Sequence, residues 1–299
     1  MDGIINVYKE KGFTSHDVVA KLRGIFHQKK IGHTGTLDPD ATGVLPVCLG
    51  KATKVCDLLT DKDKTYQAVV RLGVVTDTQD MSGTILNKST VNVTKEQLLE
   101  KAASFVGEIS QIPPMYSAIK INGKKLYELA REGKEVERKP RQIIIHSIQI
   151  EEIDLDNHLF SMTVECQKGT YIRTLCHDLG QELGCGAVME ELIRTKVSDF
   201  SMDKALTLSE IEKRVKNEDY DFVLPVDTVF MHYPRLNVIG EEGTKRLMNG
   251  NFLYERDLFS PQSEFLGEKG QCYRIYNEEG KFCAIYTNIG KEYKPVKMF

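Results

Sequence analysis

The stretch GHTGTLDPDATGVLP at 32–46 sets two aspartates, Asp38 and Asp40, among three glycines and two prolines, with His33 near its start. A segment this dense in turn formers fits an ordinary Asx turn or helix cap. It also fits a rigid cradle that presents one carboxylate for chemistry. A phosphate loop is excluded. GVLPVCLGK (43–51) ends in Gly-Lys, but six residues separate its glycines and Ala52 follows the lysine, which breaks the P-loop pattern. A metal site of His33, Asp38 and Asp40, with His27 nearby, lacks the ligand types and spacing that zinc selects. The remaining chemistry is a nucleophilic or basic carboxylate. Leu37, Val44, Leu45, Pro46 and Val47 make the stretch apolar, and burial raises a carboxylate pKa unless a cation offsets it. Arginine supplies a permanent charge on a two-pronged fork. Arg173, in KGTYIRTL, stands in an equally distinctive setting, where a Gly-Thr turn precedes Tyr171 and Arg173 on one side of an extended segment.

The elements that must position these residues follow from periodicity. SHDVVAKLRGIF (15–26) spaces Val18, Val19, Leu22, Ile25 and Phe26 on one helix face, with Ser15 as its N-cap. The glycine-rich stretch then reads as a loop, KATKVCDLLTDK (51–62) as a short helix and TYQAVVRLGVVT (65–76) as a strand. Thr94 and Gln97 predict a capping box at the head of a helix over 94–107. QIIIHSIQIEEID and LFSMTVEC give two strands, a helix follows, and LTLSEIEKRVK (206–216) closes the main body. From about Tyr233 the short strands RLNVIG, QCYRIYN, GKFCAIYT and YKPVKMF, with NEEG as a hairpin turn, predict a small β domain. The chain therefore divides into 1–232 and 233–299.

Bulk properties narrow the class. With 41% hydrophobic and 28% charged residues, the composition is that of a globular protein. The absence of any run of eighteen apolar residues excludes a transmembrane helix, and the N-terminal segment lacks the basic-then-apolar pattern of a secretory signal. Seven scattered cysteines, an odd number, predict thiols of a reducing cytosol and hence a cytoplasmic protein. The net charge of −3 hides an asymmetry. Residues 111–145 carry eight Lys/Arg against four Glu, which is +4 and leaves −7 for the rest. A localised polyanion contact produces such a segment, and so does a solvated helix face.

Five motifs in order give a resemblance. GHTGTLDPDATGVLPVCLGKATK (32–54) resembles the signature of the TruB family of tRNA pseudouridine synthases. KDKTYQA (62–68), KGTYIRTLCHDLG (168–180), QIPPMYSAIKINGKKLYELAREG (111–133) and NVYKEKGFTSHDVV (6–19) resemble that family's other motifs. Glu10 departs from the pattern, because relatives carry proline after the motif lysine. The resemblance implies an α+β fold, the pseudouridine synthase fold, with a mixed, mainly antiparallel central sheet flanked by helices and loops. A small C-terminal β (PUA-like) domain completes it. It implies isomerisation of uridine 55 in the T loop of tRNA, by base flipping and without a cofactor or metal. It makes Asp38 the catalytic aspartate, Tyr66 the active-site tyrosine and Arg173 the partner of the aspartate, and leaves Asp40 an ordinary loop residue. The aspartate's route stays open among attack at C1′, addition at C6 and removal of a sugar proton. Tyr171 and Leu192 line the pocket, Lys9 supports the N-terminal loop and His33 holds flipped bases. Lys120, Lys124, Lys125, Arg131 and Lys134, in the insertion at about 111–141, contact RNA phosphates, and the C-terminal domain reaches the acceptor end. The partner implied is tRNA, engaged by a monomer without an obligatory protein partner, and assistance to tRNA folding is implied as well. A non-catalytic RNA-binding scaffold, a guide-RNA-dependent relative and a small-molecule α/β enzyme are the competing classes. They are disfavoured respectively by the intact Asp38, Tyr66 and Arg173, by the insertion, and by the lack of a cofactor signature.

Overall fold

Strand β3 (Thr42–Leu49) is buried along almost its whole length, and it is the hinge of the architecture. In the computed structural model, which describes residues 1–121, 123–261 and 268–299, β3 joins a nine-stranded mixed sheet. Its partners in chain order are β1 (Gly3–Lys9), β2 (Ile31–His33), β4 (Lys64–Leu72), β7 (Gly107–Gln111), β10 (Arg141–Asp154), β11 (Leu159–Cys166), β12 (Ala187–Val197) and β13 (Phe200–Ser201). The small pairs β5 (Val74–Thr76) with β6 (Ile85–Lys88) and β8 (Lys120–Ile121) with β9 (Lys124–Lys125) stand apart. The order is β1-β3-β12-β4-β11-β10-β7, with β2 beside β3 and β13 beside β12. Among the described residues only the β3–β12 pairing in this sheet is parallel. The predicted α+β fold with a mixed, mainly antiparallel sheet is the fold observed.

Helices cover the faces. α1 (Ser15–Ile25) buries Val18, Val19 and Leu22 against Ile5, Val7, Leu45 and Val47, together with Ile211 of α6 (Leu208–Lys216). α5 (Ile172–Glu182) buries Leu175, Cys176 and Leu179 beside α3 (Lys95–Ser104) against β4, β11 and β12. Gly180 lets α5 approach, because a Cβ there would lie 2.1 Å from the Ala187 nitrogen. The short helix α2 (Cys56–Thr60) extends a 3₁₀ turn over Gly50–Val55. The insertion leaves the sheet at Gln111 and returns at Arg141, which are opposite each other in the β7–β10 ladder. It is therefore an excursion on a hairpin stem, and it carries β8, β9 and α4 (Leu126–Arg131). Asn122 of its ING turn lies outside the described residues.

Among the described residues between 235 and 298, six strands form a second sheet in the order β15-β19-β18-β17-β14-β16. These are β14 (Arg235–Val238), β15 (Leu253–Tyr254), β16 (Leu258–Phe259), β17 (Cys272–Tyr276), β18 (Phe282–Asn288) and β19 (Glu292–Met298). α7 (Gly240–Met248), which has no counterpart in the sequence reading, packs Leu247 into it. The two sheets share a core: Phe230, Phe282, Phe299 and Ile285 pack with Ile4, Val44, Val55 and Leu59. Lys54 Nζ donates to the Met298 carbonyl at 2.8 Å, and Lys297 Nζ donates to that of Lys54 at 2.6 Å.

Several local expectations are corrected. The cap of α1 is Thr14, whose hydroxyl accepts from the Asp17 amide, rather than Ser15. The glycine-rich stretch is not all loop. Only 34–41 is irregular, because Val44, Leu45 and Val47 lie in β3 with neighbours on both sides. The strand expected over 65–76 breaks at Gly73, where φ is +81°.

Candidate active site

Asp38 sits in a loop whose flanking residues are both pinned. The Leu37 amide donates to the buried Ser15 hydroxyl at 2.9 Å, and the Pro39 carbonyl accepts from the Gly12 amide at 2.9 Å. Lys9, fully buried at the end of β1, donates from Nζ to the carbonyls of Phe13 (2.6 Å), Pro39 (3.1 Å) and Glu10 (3.2 Å). Burial pulls the Lys9 pKa down to about 8, against the pull of Asp38 and Asp40. The ammonium is still charged at neutral pH and ties the carbonyls of Glu10, Phe13 and Pro39 to one point.

Arg173 faces the carboxylate. Its Nε lies 3.1 Å from Asp38 Oδ2 and its Nη2 lies 3.5 Å from Oδ1, a forked arrangement. The rest of the fork is also occupied. Nη2 donates to the Tyr116 carbonyl at 2.9 Å, and Nη1 donates to the Thr78 carbonyl at 3.2 Å and approaches Asp80 Oδ2 at 3.4 Å. Arg173 is 5% exposed. The extended segment expected around it is instead the start of α5, with Tyr171 as N-cap and Arg173 as the second helical residue. The reason is Gln111. Its buried amide accepts from the Tyr171 N–H at 2.9 Å and donates to the Tyr171 carbonyl at 3.1 Å, holding that peptide at the helix mouth. A cation at a helix N-terminus opposes the macrodipole, and here Asp38, Asp80 and two carbonyls offset it.

Tyr66 and Leu192 share one apolar cluster with Leu37 and Ala41, on neighbouring strands where Leu192 stands opposite Ala68. Tyr66 is 9% exposed. Burial raises its pKa, opposed by Arg194, so the phenol is neutral at pH 7. Tyr171 also has its pKa raised by burial, within electrostatic reach of Arg173 and Asp38. Asp38 itself keeps 40% of its side chain open to solvent. The surrounding protein nonetheless displaces enough water for burial to outweigh Arg173 and raise the carboxyl pKa, with Asp80 adding to the rise. The open face limits that rise, because water still reaches the ionised form. Asp40 is exposed.

The sequence residues are thus brought together unequally. Asp38, Arg173, Tyr66, Tyr171 and Leu192 converge, and Lys9 supports them from below. His33 closes β2, its ring edge-on to His16 at 5.2 Å, and its Nδ1 accepts from the Gly35 amide at 3.3 Å, leaving the proton on Nε2. Burial and His16 lower its pKa, so the ring is neutral at pH 7. Lys120, Lys124, Arg131 and Lys134 lie exposed on the insertion, and Lys125 is half-buried against Tyr127. Glu132 pairs with both Lys124 (3.2 Å) and Lys134 (2.8 Å). Asp80, Gln111 and Arg194 escaped the sequence reading. TDTQD (76–80) reads as a plain polar turn, and nothing local distinguishes Gln111 or Arg194 from surface residues. Beside His33 a groove of about 530 Å³ is lined by His16, Arg23, Lys29 and Lys30.

Comparison with known proteins assigns relatives to this arrangement. The model of the TruB family pseudouridylate synthase N-terminal domain matches residues 23–172, and that of the tRNA pseudouridylate synthase B C-terminal domain matches 173–231. tRNA pseudouridine synthase B of Lachnoclostridium phytofermentans is 54% identical across the full length of both chains. That of Alkaliphilus oremlandii is 47% identical over 90% of this chain and 88% of its own. Among solved structures, one of a Cbf5-Nop10-Gar1 complex matches with TM-score 0.71 and 26% identity, covering 99% of this chain and 84% of the other.

The raised Asp38 pKa has a thermodynamic consequence. A carboxyl that holds its proton more tightly when folded than its unfolded value of about 3.9 lowers stability as pH rises through the folded value. Asp38→Asn removes that cost. Its thermal midpoint at pH 7.5 is expected to equal or exceed the unmodified protein's, with the difference vanishing below about pH 3.9. Calorimetry across this range checks it, and a fall of several degrees at pH 7.5 would contradict it.

Proposed function

The chain belongs to the TruB family of pseudouridylate synthases, and from that premise we propose that it isomerises uridine 55 in the T loop of tRNA through Asp38. The observation that carries this reading is the Asp38 carboxylate gripped by the buried Arg173 fork beside Tyr66 and Leu192. The reaction breaks the C1′–N1 bond, turns the uracil and joins C1′ to C5, so no atom is gained or lost overall. A base inside a stack is out of reach, and flipping it out costs a few kcal/mol. His33, neutral and edge-on to His16 beside the groove, suits contact with displaced bases. Tyr66 offers a stacking face and a phenol oxygen at the uracil, and Leu192 closes the pocket so that the detached base stays in place. Arg173 orients the carboxylate and favours its ionised form.

The RNA is held from outside the pocket. The hairpin-stem insertion carries Lys120, Lys124, Lys125, Arg131 and Lys134, and its base touches the site where the Tyr116 carbonyl meets Arg173. Residues 233–299 serve as the PUA-like unit that reaches the acceptor end. The relatives aligned over the full chain are tRNA enzymes, which favours a stand-alone tRNA enzyme over a guide-RNA-dependent one.

Purified protein is expected to convert uridine 55 of an unmodified tRNA transcript without added cofactor, read by pseudouridine mapping. Asp38→Asn is expected to abolish turnover while RNA affinity stays within about threefold. Retained turnover in Asp38→Asn, with loss in Asp40→Asn, would reassign the carboxylate. Replacing Lys124 and Lys125 by alanine is expected to weaken RNA binding and flatten the log–log salt dependence by roughly one to two contacts. An unchanged salt slope removes these lysines from the footprint.

A further inference from the structure

We propose that Arg194 is a positioning residue for this isomerisation: from beneath the site it locks the Asp38 loop to the strand that carries Tyr66 and so fixes the carboxylate against the phenol. The proposal rests on the reading above. It starts from register, because Arg194 on β12 stands opposite Tyr66 on β4 and opposite Gly43 on β3. One residue thus lies between the strand that leaves the Asp38 loop and the strand that carries the tyrosine.

The side chain uses that place. Arg194 is 1% exposed, and among the described residues no carboxylate pairs with it. Its guanidinium instead donates to three carbonyls of the Asp38 loop and its exit strand: Nε to Val44 at 2.7 Å, Nη1 to Thr36 at 3.4 Å and Nη2 to Gly35 at 3.5 Å. An arginine kept inside a protein without a counter-ion is expensive, and one spent on both ends of a single loop fixes that loop's shape. Gly43 shows how tight the seat is. Its φ is +107°, and a Cβ there would lie 2.2 Å from the Arg194 carbonyl oxygen.

Across the β12–β4 ladder the same residue faces Tyr66, whose phenol lies within electrostatic reach of both Arg194 and Asp38. A flipped uracil would meet a carboxylate and a phenol whose relative position is already set. Lysine, with one compact ammonium, cannot span Gly35, Thr36 and Val44 together.

A double-mutant cycle tests this on the full-length protein. Single-turnover rates on a saturating unmodified T-arm stem-loop are compared for the unmodified protein, Tyr66→Phe, Arg194→Lys and the double variant. Arg194→Lys is expected to slow the step at least about tenfold with RNA affinity within about threefold. If it acts through Tyr66, the double variant is no more than about threefold slower than Tyr66→Phe alone. Multiplying effects, or a Tyr66→Phe rate equal to the unmodified protein's, would overturn the proposal. So would failure of both Arg194→Lys and Arg194→Gln to fold, since the role would then be structural. Absence of turnover in the unmodified protein would instead refute the functional reading.

Discussion

The ion pair between Asp38 and Arg173 is the constraint around which the rest of the molecule is arranged. A buried guanidinium at the mouth of a helix is unfavourable on two counts, desolvation and the helix dipole. It is tolerated here because four acceptors from three segments converge on it: Asp38, the Thr78 carbonyl, Asp80 and the Tyr116 carbonyl. Each of those segments is thereby tied to the same point. The 34–41 loop, the 76–80 turn, the base of the RNA-facing insertion and the N-terminus of α5 are held in register by one side chain.

A second buried arginine does the complementary work beneath it. Arg173 holds the carboxylate from the front, and Arg194 holds the loop backbone from behind, with Lys9 fastening the far side through Phe13 and Pro39. Two of these cations, Arg173 and Lys9, favour the ionised form of the partly open carboxylate, while the displaced water, Asp80 and Asp40 oppose it. The balance leaves a carboxyl with a raised pKa in a frame with little freedom to move. Preorganisation of this kind spares the reacting groups from being ordered at the moment of reaction.

Much of this was legible in the sequence, and the gaps have physical causes. Helices announced themselves through caps and apolar spacing, as at Thr94 with Gln97, and the C-terminal strands through alternation around NEEG. Asp38, Tyr66 and Arg173 stood out because motifs surround them. The interior strand β12 was overlooked because Glu190, Glu191, Arg194 and Lys196 give it a charged sequence, and register shifts at Met189/Glu191 and Arg194/Lys196 break the alternation of its buried positions. Asp80, Gln111 and Arg194 were invisible for a different reason. Each works through contacts across more than sixty residues or to backbone carbonyls, which leave no local pattern. Arg173 was assigned to an extended segment because its helix begins without a capping side chain of its own, Gln111 from β7 doing that work.

The most direct test of the central claim is the single-turnover rate of Arg173→Lys on a saturating unmodified T-arm stem-loop. Lysine keeps the charge but loses the fork that reaches Asp38, Asp80 and two carbonyls at once. The account predicts a rate at least about a hundredfold lower, with RNA affinity within about threefold and the fold intact. A rate within a few-fold of the unmodified protein's would show that the forked pairing with Asp38 is not what the chemistry depends on.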